Sequence, residues 1–234
     1  MARNQPFFSI IIPAYNEEKS ISRCLDSVAQ QTLSKEKYEI IVVNNNSRDR
    51  TKIIAQKHPV SAVDEIKQGY IYALRRGCQE AKGKILVFTD ADTVVPKDWL
   101  TKYQKIYQNP EIVCAGGPYQ LHPKIPLSFL IEPSLRIFGT ITKIAFGCNF
   151  SIRHQAYQKL KGFNAQINFH ADIDLILRAK RLGKTAFLAD NPVITSNRHF
   201  KGFKGIAYSL KGIINFASLV LLKKTIFYEF GNIR

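Results

Sequence analysis

The sequence predicts an α/β protein built on a doubly wound parallel sheet. Apolar or mostly apolar runs of strand length recur at Phe7–Ile12, Ile40–Val43 and Ile85–Thr89, as strands covered on both faces require. Each run is followed at once by a polar cluster: Pro13–Glu18, Asn44–Asp49 and Asp90–Asp92. Between the runs lie stretches with helical spacing, so strands alternate with helices. In such a sheet ligands bind outside the carboxyl ends of the strands, and the three clusters are expected to converge on one crevice.

The elements follow in order. Phe7–Ile12 reads as a central strand, with Pro13 expected to stop its ladder. Ile21, Cys24, Leu25 and Val28 form one helical stripe. After Ile40–Val43, the short amides and hydroxyl of Asn44-Asn45-Asn46-Ser47 suit a turn and a helix start. A weaker strand is expected near Val60–Val63, and a helix through Tyr70, Leu74, Cys78 and Ala81. Trp99, Leu100, Tyr103 and Ile106 suit a helix, and Ile112–Ala115 a strand ending at Gly116-Gly117-Pro118. Residues 121–146 are interrupted by prolines and no pattern dominates. Gly147-Cys148-Asn149-Phe150 reads as a tight turn before a helix around Tyr157–Leu160, and Asp172–Leu182 reads as helical.

Length and charge set limits. The 234 residues suffice for one large domain, and 45% hydrophobic content argues against disorder. The net charge of +16, from 34 Lys and Arg against 18 Asp and Glu, points to an anionic partner. No interleaved aromatic and basic signature indicates nucleic acid. Cys24, Cys78, Cys114 and Cys148 are far apart without a CxxC pair, as expected of buried thiols in a reducing compartment. Near the N-terminus the short apolar run lacks a small-residue cleavage site and reads as a strand, so a cytoplasmic location is expected.

The final segment, 201–234, has a different composition. Gly205–Leu222 holds one charge, Lys211, between Lys201/Lys204 and Lys223/Lys224. The uncharged run Gly212–Leu222 is too short to span a bilayer, which takes about 20 apolar residues. An apolar body with basic flanks fits a helix lying on an anionic membrane surface, or one packed on the domain.

In extended chain Asp90 and Asp92 point one way and Ala91 the other. Two acids cannot stay charged in a core, so the strand must end there. The pair reads either as a solvated turn or as a clamp for a divalent metal beside a nucleotide diphosphate.

Taken together, Ile11-Ile12-Pro13-Ala14-Tyr15-Asn16-Glu17-Glu18, Val42-Val43-Asn44-Asn45-Asn46-Ser47, Thr89-Asp90-Ala91-Asp92, Gly147-Cys148-Asn149-Phe150 and Ala171-Asp172-Ile173-Asp174-Leu175 with Arg178 resemble, in order and spacing, the inverting glycosyltransferase family 2. The resemblance runs from about Phe8 to about Arg198. It implies the GT-A fold of nucleotide-diphospho-sugar transferases: a Rossmann-like mixed central sheet flanked by helices, here over 1–200, with a nucleotide-sugar half (about 1–118), an acceptor half (about 119–200) and a C-terminal amphipathic appendage over 201–234.

The resemblance also implies roles. Pro13, Ala14, Tyr15 and Glu17 match the loop around the base and ribose. Asn44 stands where the family usually has an Asp that reads the base. Lys67, Gly69 and Arg75 fall in a segment that often approaches the diphosphate. Asp90 and Asp92 match the metal-binding acid pair, with Asp92 in direct contact and His199 a possible third ligand; Mg²⁺ or Mn²⁺ suits such oxygens. Arg198 would meet the diphosphate. Asp172 matches the general base, although Ala171 replaces the Glu that usually precedes it. Gly147, Asn149 and His170 fall on the acceptor side.

The implied activity is metal-dependent inverting transfer of a sugar from a UDP- or GDP-linked donor to a lipid-linked or polysaccharide acceptor, in cell-envelope glycan synthesis. Its place would be the inner face of the cytoplasmic membrane, with no nucleic acid partner. The alternatives are a degenerate, non-catalytic binding module, favoured by Asn44 and Ala171, and a sugar-phosphate nucleotidyltransferase, disfavoured because no Gly-rich basic signature opens the chain.

Overall fold

The computed structural model describes residues 5–125, 128–167, 169–198, 202–222 and 224–226. Nine strands and eight helices are assigned among them. The strands are β1 (Phe8–Ala14), β2 (Tyr38–Asn44), β3 (Ser61–Asp64), β4 (Ile85–Phe88), β5 (Ile112–Gly116), β6 (Tyr119–His122), β7 (Phe150–Arg153), β8 (Lys184–Phe187) and β9 (Val193–Ser196). The helices are α1 (Ile21–Ala29), α2 (Thr51–Ala55), α3 (Tyr70–Glu80), α4 (Trp99–Ile106), α5 (Ser128–Thr142), α6 (His154–Lys159), α7 (Ala171–Ala179) and α8 (Gly202–Leu222).

A seven-stranded sheet in the order β3-β2-β1-β4-β7-β5-β8 forms the centre, and β6 pairs with β9 in a second, two-stranded sheet. The first four strands are parallel, as alternation with helices requires. Between β4 and β5 the all-parallel expectation fails, because β7 runs antiparallel to both. The sheet is therefore mixed, as the family resemblance implied. β7 escaped notice because it is short and puts a serine in the core. The Ser151 hydroxyl is satisfied there by the Ala115 carbonyl and the Tyr107 hydroxyl, both at 3.0 Å.

Alternate residues of the central strands feed two cores, one on each face of the sheet. Ile10, Ile12, Val42 and Val87 pack with Ile21, Leu25 and Trp99 on one side. On the other, Ile11, Ile41, Val43 and Phe88 pack with Leu74, Phe150 and Ile173. Close approach matters at Gly77 of α3, where a Cβ would stand 2.5 Å from the Ile11 side chain. All four cysteine thiols are buried.

Pro13 does not stop the ladder. β1 continues through it to Ala14, paired with β2. Thr89 N–H reaches the Ile11 carbonyl and Asn45 N–H the Ala14 carbonyl, so residue 13 turns its backbone toward β4. β4 pairs with β1 only as far as Ile11, and the missing proline N–H breaks no bond. Asn44–Ser47 forms a turn, and the helix after it begins only at Thr51.

In the undecided region 121–146, α5 forms despite Pro133 within it. α8 lays Asn215, Ser218 and Leu219 inward, and Phe216 meets Phe138 of α5 edge to face at 5.5 Å. Among the described residues, no helix is long and apolar enough to cross a membrane.

Candidate functional site

At the carboxyl ends of β1 and β2 the two loops are stitched together. Glu17 N–H donates to Thr51 Oγ1 (2.7 Å), Arg48 N–H to Asn16 Oδ1 (2.9 Å), and Glu18 N–H to Asp49 Oδ2 (3.1 Å). Pro13 and Ala14 form the buried end of β1, and Tyr15 stands half-buried just beyond it. Asn44 ends β2. Its amide donates to Asp64 Oδ1 at 2.9 Å, and its Oδ1 accepts from Ser47 N–H at 3.3 Å. The buried Asn45 donates to the Glu65 and Lys67 carbonyls (2.9 and 2.8 Å) and accepts from Gly69 N–H at 2.8 Å. That clamp holds the backbone at Gly69, whose φ of 137° favours glycine, and starts α3 at Tyr70.

β4 ends at Phe88, and Asp90–Thr93 makes a turn closed by Thr93 N–H to the Asp90 carbonyl (3.0 Å). Ala91 points into the core. Asp90 Oδ1 accepts from the Tyr70 hydroxyl at 3.0 Å. Asp92 is buried, and Arg198 lies 3.0 Å from its Oδ2. The same guanidinium grips both oxygens of the buried Glu17 carboxylate, which also accepts from Ser20 Oγ at 2.6 Å. Arg198 reaches this point because β9, antiparallel at the Val94–Ile194 bridge, runs beside the segment after Asp92. Thr195 of β9 donates to Asp92 Oδ1 at 3.4 Å. Burial alone would lower the Arg198 pKa, but the Glu17 hydrogen bonds and the Asp92, Glu17 and Asp90 charges outweigh it and hold it high. A depression of about 190 Å³ borders Asp92, Thr195 and Arg23. The larger hollow, about 1390 Å³, lies at the other ends of the strands near Pro6, Gly83 and His154, away from the carboxylates.

Across the crevice α7 presents Asp172 in its first turn. His170, with a left-handed φ of 65°, turns the chain into that helix. Burial raises the Asp172 pKa, and the His170 charge and the N–H groups of Ile173, Asp172 and Gly147 offset this only in part. A Cβ on Gly147 would stand 3.3 Å from the Tyr70 hydroxyl and 3.4 Å from Asp172 Oδ2, so the bare glycine leaves these two groups room to approach. Tyr70, seen in the sequence only as part of an apolar stripe, thus stands between the acid pair and Asp172. Its place directly after Gly69, at a helix start, is the signal that could have found it.

Three expected site residues are engaged elsewhere, and a fourth, Arg75, is exposed. Asn149 is fully buried. Its Oδ1 accepts from Trp99 Nε1 and the Tyr103 hydroxyl, both at 2.8 Å, and its amide donates to the Pro118 and Asn191 carbonyls at 2.9 and 2.8 Å. Every hydrogen-bonding position is used, so Asn149 ties β5, β7 and α4 together rather than facing an acceptor. His170 Nε2 is 3.0 Å from the Gly212 carbonyl of α8, an anchor for that helix. Arg75 is exposed on α3. Lys67 stands over the Tyr72 ring at 4.1 Å. His199 lies outside the described residues.

The fit to a divalent cation rests on Asp90 and Asp92. Among the described residues, no group of three or more His, Cys, Asp or Glu side chains converges. Two carboxylates are a hard-oxygen donor set that leaves positions for diphosphate oxygens and water, as Mg²⁺ and Mn²⁺ accept. The negative field there is strong. Besides burial, the charges of Asp92 and Asp90 push the Cys24 thiol well above its usual pKa.

Comparison with known proteins bears on the family and the fold. Over 123 residues, half of this chain and 40% of the relative, the sequence is 35% identical to glycosyltransferase AglE of Haloferax volcanii. The chain therefore spans well under half the length of that relative. The structure matches a mannosyltransferase of Pyrobaculum calidifontis in complex with GDP-Man and Mn²⁺, with TM-score 0.75, 24% identity, and coverage of 92% of this chain and 64% of that one. It also matches residues 1–349 of Staphylococcus aureus TarS in complex with UDP-GlcNAc, with TM-score 0.69, 17% identity, and coverage of 94% and 68%. These structural likenesses establish the GT-A fold. The model of glycosyl transferase family 2 matches residues 9–161, well over half of the sequence, and the chain belongs to that family.

Proposed function

We propose that the protein is an inverting, metal-dependent glycosyltransferase that moves a sugar from a nucleotide-diphosphate donor to an acceptor hydroxyl. One observation carries the reading. The Tyr70 hydroxyl, bonded to Asp90, stands beside the bare backbone of Gly147, which also borders the Asp172 carboxylate. Through Tyr70 and Gly147 the acid pair and the base are brought to one place in the fold.

Asp172 takes the proton of the acceptor hydroxyl as that oxygen attacks the anomeric carbon. The new bond forms on the face opposite the leaving diphosphate, so configuration inverts. A pKa raised by burial makes Asp172 a stronger base than an exposed carboxylate. Asp92 and Asp90 would hold the divalent ion, which offsets charge on the departing diphosphate. Arg198 supplies a fixed positive charge beside it. UDP and GDP both remain candidate donors, since the structural neighbours include complexes with GDP-Man and with UDP-GlcNAc. The favoured acceptor is lipid-linked or a growing polysaccharide in envelope glycan synthesis. It would be met at the inner face of the membrane, with residues 201–234 as a membrane-associating tail on a transferase domain over 1–200.

The binding-module reading draws on Ala171, which is buried and puts no carboxylate beside Asp172. One experiment separates the two. Wild-type protein is incubated with UDP- and GDP-sugars, with Mn²⁺ or with chelator, and donor hydrolysis and thermal shift are measured. Metal-dependent shift and hydrolysis, both lost in Asp92→Ala, support the transferase. A metal-dependent shift with no turnover in wild type leaves a binding module.

A further inference from the structure

Helix α5 is amphipathic in the wrong sense for a surface helix. Its inward side is lined by Ser128, Leu135, Phe138 and Gly139, and a Cβ on Gly139 would meet the Phe187 ring. Its outward side carries Leu130, Ile137 and Ile141, which share one stripe at helical spacing with Ser134, and Phe129 beside them. These are 55%, 61%, 75% and 70% exposed, in that order. The neighbouring α8 repeats the pattern. While Asn215 and Leu219 turn inward, Leu210 and Ile214 stand 55% and 44% exposed, with Leu222 beyond them at 66%. The two helices touch through Phe138 and Phe216. Apolar residues scattered singly are ordinary on a surface, but two adjacent helices that each carry an outward stripe are not.

Charge selects what covers it. From residue 121 to 170 the only acid is Glu132, and it is turned to the Leu121 backbone N–H at 3.0 Å. Exposed cations surround the stripes: Lys124, Arg136 and Lys143 on or beside α5, and Lys211 and Lys224 on or beside α8. Two copies of this face would repel each other. A bilayer with anionic headgroups would bury the apolar stripes and neutralise the rim together.

We infer that α5, together with α8, forms a docking face for an anionic lipid bilayer. This rests on the membrane reading of the C-terminal segment and extends it to a helix of the acceptor half. α5 is held at its C-terminal end by Lys180, which donates to the Thr142 carbonyl at 2.7 Å, and ends five residues before Gly147. Docking on α5 therefore sets the acceptor side of the crevice next to the lipid surface, and favours an acceptor whose reactive hydroxyl lies close to the headgroups.

The test uses the full chain and vesicles of phosphatidylcholine, alone or mixed with phosphatidylglycerol. The expected result is sedimentation with the mixed vesicles, weakened about tenfold or more by the double variant Ile137→Asp/Ile141→Asp, since each loses a buried apolar side chain. An Ile141→Trp variant is expected to shift its emission to the blue and to be quenched by brominated lipid, against the constant signal of the buried Trp99. An unchanged unfolding midpoint keeps both variants informative. Full sedimentation of the Asp double variant, no vesicle binding by wild type, or a wild-type dimer that the double variant splits would each overturn the inference. The nucleotide-sugar thermal shift is read on the same samples. Its absence with vesicle binding intact would count against the transferase and leave the docking face standing.

Discussion

On the proposed donor side of the crevice, polar side chains are held by other parts of the chain: Asn44 by Asp64, Asn45 by the loop ahead of α3, Glu17 and Asp92 by Arg198. On the proposed acceptor side, among the described residues, Asp172 is met by backbone N–H groups and the His170 charge, and the helices beyond turn apolar residues outward. The difference teaches that the two sides solve different problems. A donor site must meet a polar, multiply charged ligand in one register, and a network of buried bonds sets that register before binding. An acceptor site must keep a carboxylate basic, which takes partial desolvation and few competing donors.

Substitutions can break this contrast, and the largest effect is expected on the acceptor side. Asp172→Asn should reduce transfer by about 10²–10⁴-fold while the donor-dependent thermal shift persists. The acid limb of the wild-type pH–rate profile should lie above the ordinary carboxylate range, because the Asp172 pKa is raised. The sign for stability is opposite to that for activity. A folded pKa above the unfolded value of 3.8 stabilises at pH values below it, and this is lost as pH rises through the folded value. At neutral pH the ionised carboxylate is thus a cost, and Asp172→Asn should melt higher than wild type, with the gap closing in acid. A lower melting point at pH 7 would remove burial as the cause of the raised pKa.

Donor-side and central substitutions should do the reverse and cost stability first. Asn149→Ala strands the Trp99 N–H, the Tyr103 hydroxyl and two carbonyls, and should cost about 3 kcal/mol in urea unfolding. Glu17→Gln leaves Arg198 with Asp92 as its only charged partner among the described contacts, and should cost about 2 kcal/mol while weakening donor binding. The smallest effect is expected at Asn44. Asn44→Asp sets a carboxylate against that of Asp64 and should cost about 1 kcal/mol, which a second change, Asp64→Asn, restores. No rescue would mean that the two residues are not coupled as the 2.9 Å hydrogen bond indicates.

Much of this was legible in the chain. The strands β1, β2 and β4 stood out because strands covered on both faces are apolar without interruption. The acids at 90 and 92 stood out because charge beside such a run demands a reason, and Asp172 only through the family resemblance. The strands β6, β8 and β9 did not. They are short and half exposed, and their partners lie far away in sequence. Nor did α5, where Pro133 interrupts the pattern and exposed apolar residues share the outward side with Ser134 and Arg136.

The sequence by itself determined the parallel core and the three strand-end clusters, since these follow from local pattern and residue chemistry. Only the tertiary structure decided which polar residues face the crevice. Asn149 and Asp172 are both polar and both lie in motif-like settings. One is sealed among Trp99, Tyr103, Pro118 and Asn191, and the other borders the space beside Gly147 and Tyr70. A side chain's role depends on which distant partners satisfy its hydrogen bonds, and that is fixed only when β7, α4 and α7 are packed against one another.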